Sequence, residues 1–209
     1  MRNIKYIILH HSATEAPGDG SAVADAIMLN HRRRWQISFP NYVCDYHYMI
    51  GQTGKIFKGQ PEELPSWHAT NYRVNLESLG VCFLGNFEVN IMSKEQFNAG
   101  VKLLKELVSK YGIKSENVLR HKDVVSDITG LRNSTLCPGK NFPYEEMLTS
   151  VFSLFKDVGD DYPYKEEITT LYNLGIVLGD NGEMRPKNCL KREEGFLLIY
   201  RLLKFLGKI

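Results

Sequence analysis

The sequence predicts an α/β fold, a mixed central β-sheet flanked by helices, followed by a small all-α module. Three observations predict it. Short β-branched apolar runs alternate with segments of helical periodicity through residue 155. A tight turn, Gln52-Thr53-Gly54-Lys55, marks one hairpin inside that alternation. Beyond a loop-rich stretch at 159–163, only helical patterns remain.

Residues 4–9 read as a buried strand and 14–20 as a loop. Residues 21–35 are helical, with Val23, Ala26, Ile27 and Asn30 at helix spacing. Residues 46–50 form a strand, and 55–57 return after a turn in which Gly54 supplies the positive φ. Residues 61–74 are a long loop rich in aromatic and polar side chains, a candidate functional loop. Residues 79–84 are a second buried strand. Ser93-Lys94-Glu95-Gln96 reads as a capping box. It opens an amphipathic helix through Phe97, Val101, Leu104, Leu107 and Val108 that stops at Gly112. Residues 118–120 form a short strand, 122–141 a loop, and Pro143 suits the first turn of a helix reaching about residue 155. Residues 159–163 read as a linker. Helices follow at 164–174, ended by Gly175, and at 191–206, joined through Gly179-Asp180-Asn181-Gly182. The expected division is 1–155 and 156–209.

A chain of 209 residues buries roughly 70% of its extended surface and needs no staples. With 43% hydrophobic and 24% charged residues it is a globular sequence, neither disordered nor collagen-like. It lacks the run of about 18 apolar residues that a membrane span needs. The opening segment is a poor signal peptide, because its apolar stretch is only Tyr6-Ile7-Ile8-Leu9 before two histidines. The expectation is therefore synthesis in the host cytoplasm and action outside only after release. The net charge is +2. Through Lys156 there are 18 basic and 15 acidic residues, and beyond it 8 and 9. The dense cluster Arg32-Arg33-Arg34 reads as a solvated helix end and not as a nucleic-acid stripe. Cys44, Cys82, Cys137 and Cys189 are too few and scattered for a disulfide framework, and a reducing cytoplasm keeps them thiols.

A zinc hydrolase needs three protein ligands and an open position. The candidates are His10 or His11 ending the first strand, His121 ending the short strand, and Cys137 in the loop beyond. Singly each is weak: an isolated histidine is more often structural, and an isolated cysteine a small buried apolar residue.

The string Ile8-Leu9-His10-His11-Ser12-Ala13-Thr14 resembles the opening motif of zinc N-acetylmuramoyl-L-alanine amidases, the family of phage lysozyme-type amidases and peptidoglycan recognition proteins. Four further segments match in order. They are Tyr46-His47-Tyr48-Met49-Ile50; Trp67-His68-Ala69 with Asn71 and Asn75; Ser78-Leu79-Gly80-Val81; and Arg120-His121-Lys122-Asp123 followed by Thr135-Leu136-Cys137-Pro138-Gly139. The resemblance covers about residues 1–155. It implies His10, His121 and Cys137 as ligands of Zn²⁺, and Tyr46 and Thr135 as the catalytic pair. It also implies a substrate groove at Trp67, His68 and Asn75. His11 is a position the family fills variably, and in a strand it faces away from His10. Some members carry Lys in place of Thr135, so this chain looks closer to the recognition-protein version. The segment between His121 and Cys137 is longer than in compact phage members.

Zinc supplies an acidified water and a Lewis acid for the amide carbonyl. Tyr46 can stabilise the oxyanion, and Thr135 can hydrogen-bond it or the water. No carboxylate base is evident. His31 reads as a surface or capping residue, His47 as structural, and Trp67 equally as groove wall or core. Residues 155–209 resemble one S-layer homology module through Phe155-Lys156-Asp157-Val158, Ile168 with Leu171, Gly175-Ile176, Gly179-Asp180, Pro186 and Lys191-Arg192-Glu193-Glu194. That family binds anionic secondary wall polymers, which Arg192 would suit. The bland alternative is a helix pair that only packs on the catalytic domain. A lone module has a marginal core, so docking or self-association is expected.

The implied activity is hydrolysis of the bond between N-acetylmuramic acid and L-alanine in peptidoglycan, as a phage endolysin or a host autolysin. A non-catalytic peptidoglycan-binding protein is the alternative, although such relatives typically replace the cysteine ligand.

Overall fold

The structure is a computed structural model that describes residues 2–127, 130–159, 161–180 and 182–209. Asp160 and Asn181, in the expected linker and turn, lie outside them. The described residues form two compact units, 1–151 and 152–209.

The first unit is built on five strands: β1 (Tyr6–His11), β2 (Tyr48–Ile50), β3 (Ile56–Lys58), β4 (Ser78–Phe83) and β5 (Val118–Arg120). Their order is β3-β2-β4-β1-β5. The β1–β4, β1–β5 and β2–β4 pairs are parallel, and the β2–β3 hairpin is antiparallel. The mixed sheet expected from the sequence is therefore present. The helices are α1 (Ser21–Trp35), α2 (Tyr72–Glu77), α3 (Lys94–Tyr111) and α4 (Tyr144–Phe152).

Side chains alternate across a sheet, so β1 and β4 divide their residues between two faces. Ile7, Leu9, Leu79, Val81 and Phe83 face α3 and α4 and are fully buried. There α3 comes so close that a Cβ on Gly100 would lie 2.5 Å from Phe83 Cε1. The other face carries Ile8 and His10 on β1, and Ser78, Gly80 and Cys82 on β4. Ala24, Val23 and Ile27 of α1 pack there against Cys82 and Met49. Ala69 and Val74 cover Ile8.

Several local expectations change. The strand expected over 46–50 begins at Tyr48, and the loop expected over 61–74 contains the start of α2. Asn71 caps α2, its side chain accepting from the Val74 N–H at 2.9 Å. Only half of the capping box forms. Ser93 Oγ accepts from the Gln96 N–H at 3.1 Å, but the Gln96 amide donates to Ile50 O at 2.7 Å and Leu84 O at 3.0 Å. Those two carbonyls hold the amide away from the Ser93 N–H, and Gln96 Oε1 is buried without a hydrogen-bond partner among the described residues. The helix α4 ends at Phe152, not near residue 155.

The second unit holds α5 (Lys165–Asn173) and α6 (Arg192–Phe205). Its core is Phe155, Val158, Ile168 and Val177, with Tyr162, Met184 and Leu198 against them. Phe155 and Tyr162 share that core, so the stretch at 159–163 lies within the unit and does not separate two. Among the described residues, no helix is long and apolar enough to cross a membrane.

Candidate metal centre

Open parallel sheets gather ligands outside the carboxyl ends of their strands. Here β1 ends on His10 and His11, and its neighbour β5 is followed directly by His121 in a 3-10 turn. The loop beyond returns Cys137 to the same place, where the Lys122 N–H donates to Cys137 O at 3.0 Å. The Asn133 amide ties the same turn by donating to His121 O at 3.1 Å.

His10, His121 and Cys137 each offer a donor atom, all within 4.8 Å of one another. His10 Nδ1 lies 3.8 Å from Cys137 Sγ, and the His10 and His121 ring centroids are 4.6 Å apart. His121 Nε2 is buried without a hydrogen-bond partner among the described residues. A buried nitrogen is rarely left unpaired, so this orphan fits a coordinating role. Of the two candidates on β1, the structure selects His10. His11 faces the other way, its Nδ1 accepting from the Phe87 N–H at 3.2 Å.

Burial, with neighbouring His121, His68 and His11, holds the His10 imidazole well below its ordinary pKa. Burial and His11 lower His121 to about 4. Both rings are thus neutral at pH 7, the state a metal requires. Burial pushes the Cys137 thiol up to about 11, opposed by the His11 N–H, which donates to Sγ at 3.4 Å.

Tyr46 lies beside the cluster, its ring 5.1 Å from His10 and 5.6 Å from His31. Burial and the Cys82 and Cys137 thiols raise its pKa well above 10. Thr135 stands two residues before Cys137, its Oγ1 accepting from the Cys137 N–H at 3.1 Å. The hydroxyl proton remains free to donate elsewhere.

The expected groove residues behave differently. His68 is only 6% exposed and both ring nitrogens are engaged inside the protein, at His10 Nε2 (3.0 Å) and Ser78 Oγ (3.1 Å). Asn75 is equally buried, its side chain accepting from the His68 and Ala69 N–H groups and donating to Ala69 O. Neither presents polar atoms to a groove. Trp67 borders a cavity of about 290 Å³, lined also by Phe39, Tyr42, Gln60 and Leu64. It stacks on Tyr72 at 5.8 Å. His31, expected as a surface or capping residue, packs on Tyr46, and its Nδ1 accepts from the Asp45 N–H at 3.1 Å. His47 is structural, its Nδ1 accepting from the Gly80 N–H at 3.0 Å. Arg192 is exposed in the first turn of α6.

Sequence reasoning missed Ser78 and Gly80 as builders of the site. The signal was present: Ser78-Leu79-Gly80-Val81-Cys82-Phe83 alternates small and large residues with period two. The small row makes a trough beneath the His68 ring. A Cβ on Gly80 would lie 2.8 Å from His68 Cγ.

Residues 1–140 match the N-acetylmuramoyl-L-alanine amidase family. The chain belongs to that family. Residues 154–194 match the S-layer homology domain. This amidase-family chain is 30% identical over 140 residues to peptidoglycan-recognition protein SC2 of Drosophila melanogaster, covering 66% of this chain and 70% of that protein. Its fold resembles N-acetylmuramoyl-L-alanine amidase LysC from Clostridium intestinale URNW, at TM-score 0.55 and 29% identity, over 70% of this chain and 83% of the other. It also resembles peptidoglycan recognition protein-LE in complex with tracheal cytotoxin, a monomeric diaminopimelic acid-type peptidoglycan. That match has TM-score 0.54 and 25% identity, over 71% and 81% of the two chains.

Proposed function

We propose that this amidase is zinc-dependent and hydrolyses the amide between the lactyl group of N-acetylmuramic acid and L-alanine in peptidoglycan. The observation that carries the reading is the buried His10–His121–Cys137 cluster with its orphaned His121 Nε2. Two imidazoles and a thiolate are a soft donor set that favours zinc. The 3.8 Å between His10 Nδ1 and Cys137 Sγ is near the roughly 3.5 Å edge of a tetrahedral N–Zn–S arrangement. When bound, zinc supplies an acidified water and a Lewis acid for the carbonyl.

The chain's own residues do the rest. Tyr46, kept protonated by burial, donates its hydroxyl to the oxygen that gains charge as the amide is attacked. Thr135 is fixed by the Cys137 N–H and donates its remaining proton to the same oxygen or to the attacking water. Trp67 is the proposed substrate contact, with an apolar surface open to a cavity that the cluster itself does not line.

The S-layer homology segment holds the enzyme on the wall through an anionic polymer, with Arg192 as a contact. The resemblance to an endolysin amidase of Clostridium intestinale URNW supports an endolysin role; synthesis inside a host and action on the wall after release are part of the same proposal. The test is metal content together with the release of new α-amines from purified peptidoglycan. One zinc per chain and amine release that chelator abolishes and zinc restores are expected. Bound zinc without amine release supports a non-catalytic binding protein instead, as the recognition-protein relatives allow.

A further inference from the structure

His68 joins a buried relay that the mechanism above does not use. His10 Nε2 and His68 Nδ1 are 3.0 Å apart, and His68 Nε2 and Ser78 Oγ are 3.1 Å apart. His10 is 1%, His68 6% and Ser78 0% exposed, so water does not substitute for any member. The ring is clamped from below by Gly80 and along its backbone by Asn75. In register, Ser78 and Gly80 face the same side of the sheet as His10, because Tyr6 pairs with Ser78, Ile8 with Gly80 and His10 with Cys82.

A neutral imidazole carries one N–H and one acceptor nitrogen. The relay therefore has two proton arrangements. In the first, His10 Nε2–H donates to His68 Nδ1 and His68 Nε2–H donates to Ser78 Oγ. This leaves the His10 Nδ1 lone pair directed to the Cys137 side. In the second, every bond is reversed, the proton sits on His10 Nδ1, and that nitrogen cannot ligate. Only the first is competent to hold a metal.

We propose that His68 is a positioning residue: anchored by Ser78, it fixes the orientation and the Nε2–H tautomer of His10 so that Nδ1 is presented to the metal. The inference rests on the reading that His10, His121 and Cys137 hold zinc. Partners of this kind typically tune metal affinity by about 10–100-fold. They act on the ligand and do not touch the substrate.

The experiment compares zinc affinity by chelator competition for the full-length wild type, His68→Phe, His68→Asn and Ser78→Ala. His68→Phe keeps ring volume over Gly80 but accepts no hydrogen bond. His68→Asn restores an acceptor at the Nδ1 position that faces His10. Ser78→Ala changes little volume and covers the case in which the His68 variants fail to fold. Expected is about a 10–100-fold weaker zinc affinity for folded His68→Phe, a smaller loss for Ser78→Ala, and partial recovery in His68→Asn. Histidine ¹⁵N spectra of the zinc-loaded wild type should show His10 protonated at Nε2. A role confined to packing would lower stability and leave the affinity of the folded variants unchanged, which overturns the proposal. So does a His10 protonated at Nδ1 in the loaded protein. Failure of the wild type itself to bind zinc would instead overturn the metal reading on which the proposal stands.

Discussion

Cys137 carries a thiol raised to about 11, whereas the His10 and His121 imidazoles are lowered and already neutral at pH 7. Coordination therefore displaces one proton, from sulfur, and none from nitrogen. Zinc affinity should rise about tenfold per pH unit from pH 6 to 9, with one proton released per ion. Calorimetry in buffers of different ionisation enthalpy reads that proton; a release of zero would place the sulfur outside the coordination sphere. Below about pH 4 protonation of His121 adds a second competing proton. Tyr46 is protonated throughout this range, so its loss is one of a donor and not of a base. Tyr46→Phe should lower kcat by about 10²–10³ while zinc content stays at one per chain. Steady-state kinetics beside metal analysis separates the two effects. At this scale the sequence pointed to His10, His121 and Cys137 through short motifs of specific order, and the structure brings their donor atoms within 4.8 Å of one another. The sequence carried His68 and Asn75 poorly. Their hydrogen bonds reach His10 across 58 residues and close a turn in the interior, and no local pattern distinguishes that from a groove lining.

Among the elements, β1, β4, α3 and β5 were legible because each has its own signal: buried β-branched runs, or a long amphipathic period closed at Gly112. The short helix α2 was not, since six residues in an aromatic and polar stretch show less than two turns of periodicity. Gln96 shows how tertiary contacts override a local motif. Its position three residues after Ser93 reads as a reciprocal cap, yet its amide bridges the ends of β2 and β4, which lie one on each side of its hydrogen bonds. The bridge lies at the carboxyl ends of β2 and β4, the same edge of the sheet at which His10 pairs with Cys82. Gln96→Ala should cost about 1–2 kcal/mol, because Leu84 O loses its donor while Ile50 O keeps the Leu84 N–H at 2.8 Å. Urea denaturation measures it. A loss under about 0.5 kcal/mol would mean that the bridge is replaced by water or by other donors.

Across the whole molecule the family-matched segments, 1–140 and 154–194, fall in separate compact units, divided after Val151. The sequence boundary at 155/156 fell a few residues later because Phe155 closes the first stretch in sequence but belongs to the core of the second unit. That core is small. The helix α6 meanwhile leaves Phe196, Ile199 and Tyr200, neighbours on one face, more than half exposed. An apolar face of this kind marks an interaction surface. Self-association of the full chain through α6 is the expected outcome, seen as concentration-dependent mass in sedimentation equilibrium. Phe196→Glu with Tyr200→Glu, one helical turn apart, should abolish it. A wild type that stays monomeric at high concentration contradicts this.

The central claim is that the buried two-histidine, one-cysteine cluster makes this chain cut a particular amide. The most direct measurement is mass spectrometry of purified Gram-positive peptidoglycan digested with and without chelator. The account predicts free stem peptides beginning with an L-alanine amine and intact glycan strands, lost on chelation and restored by zinc. Muropeptides that remain intact, or fragments cut within the glycan or between peptides, would contradict it.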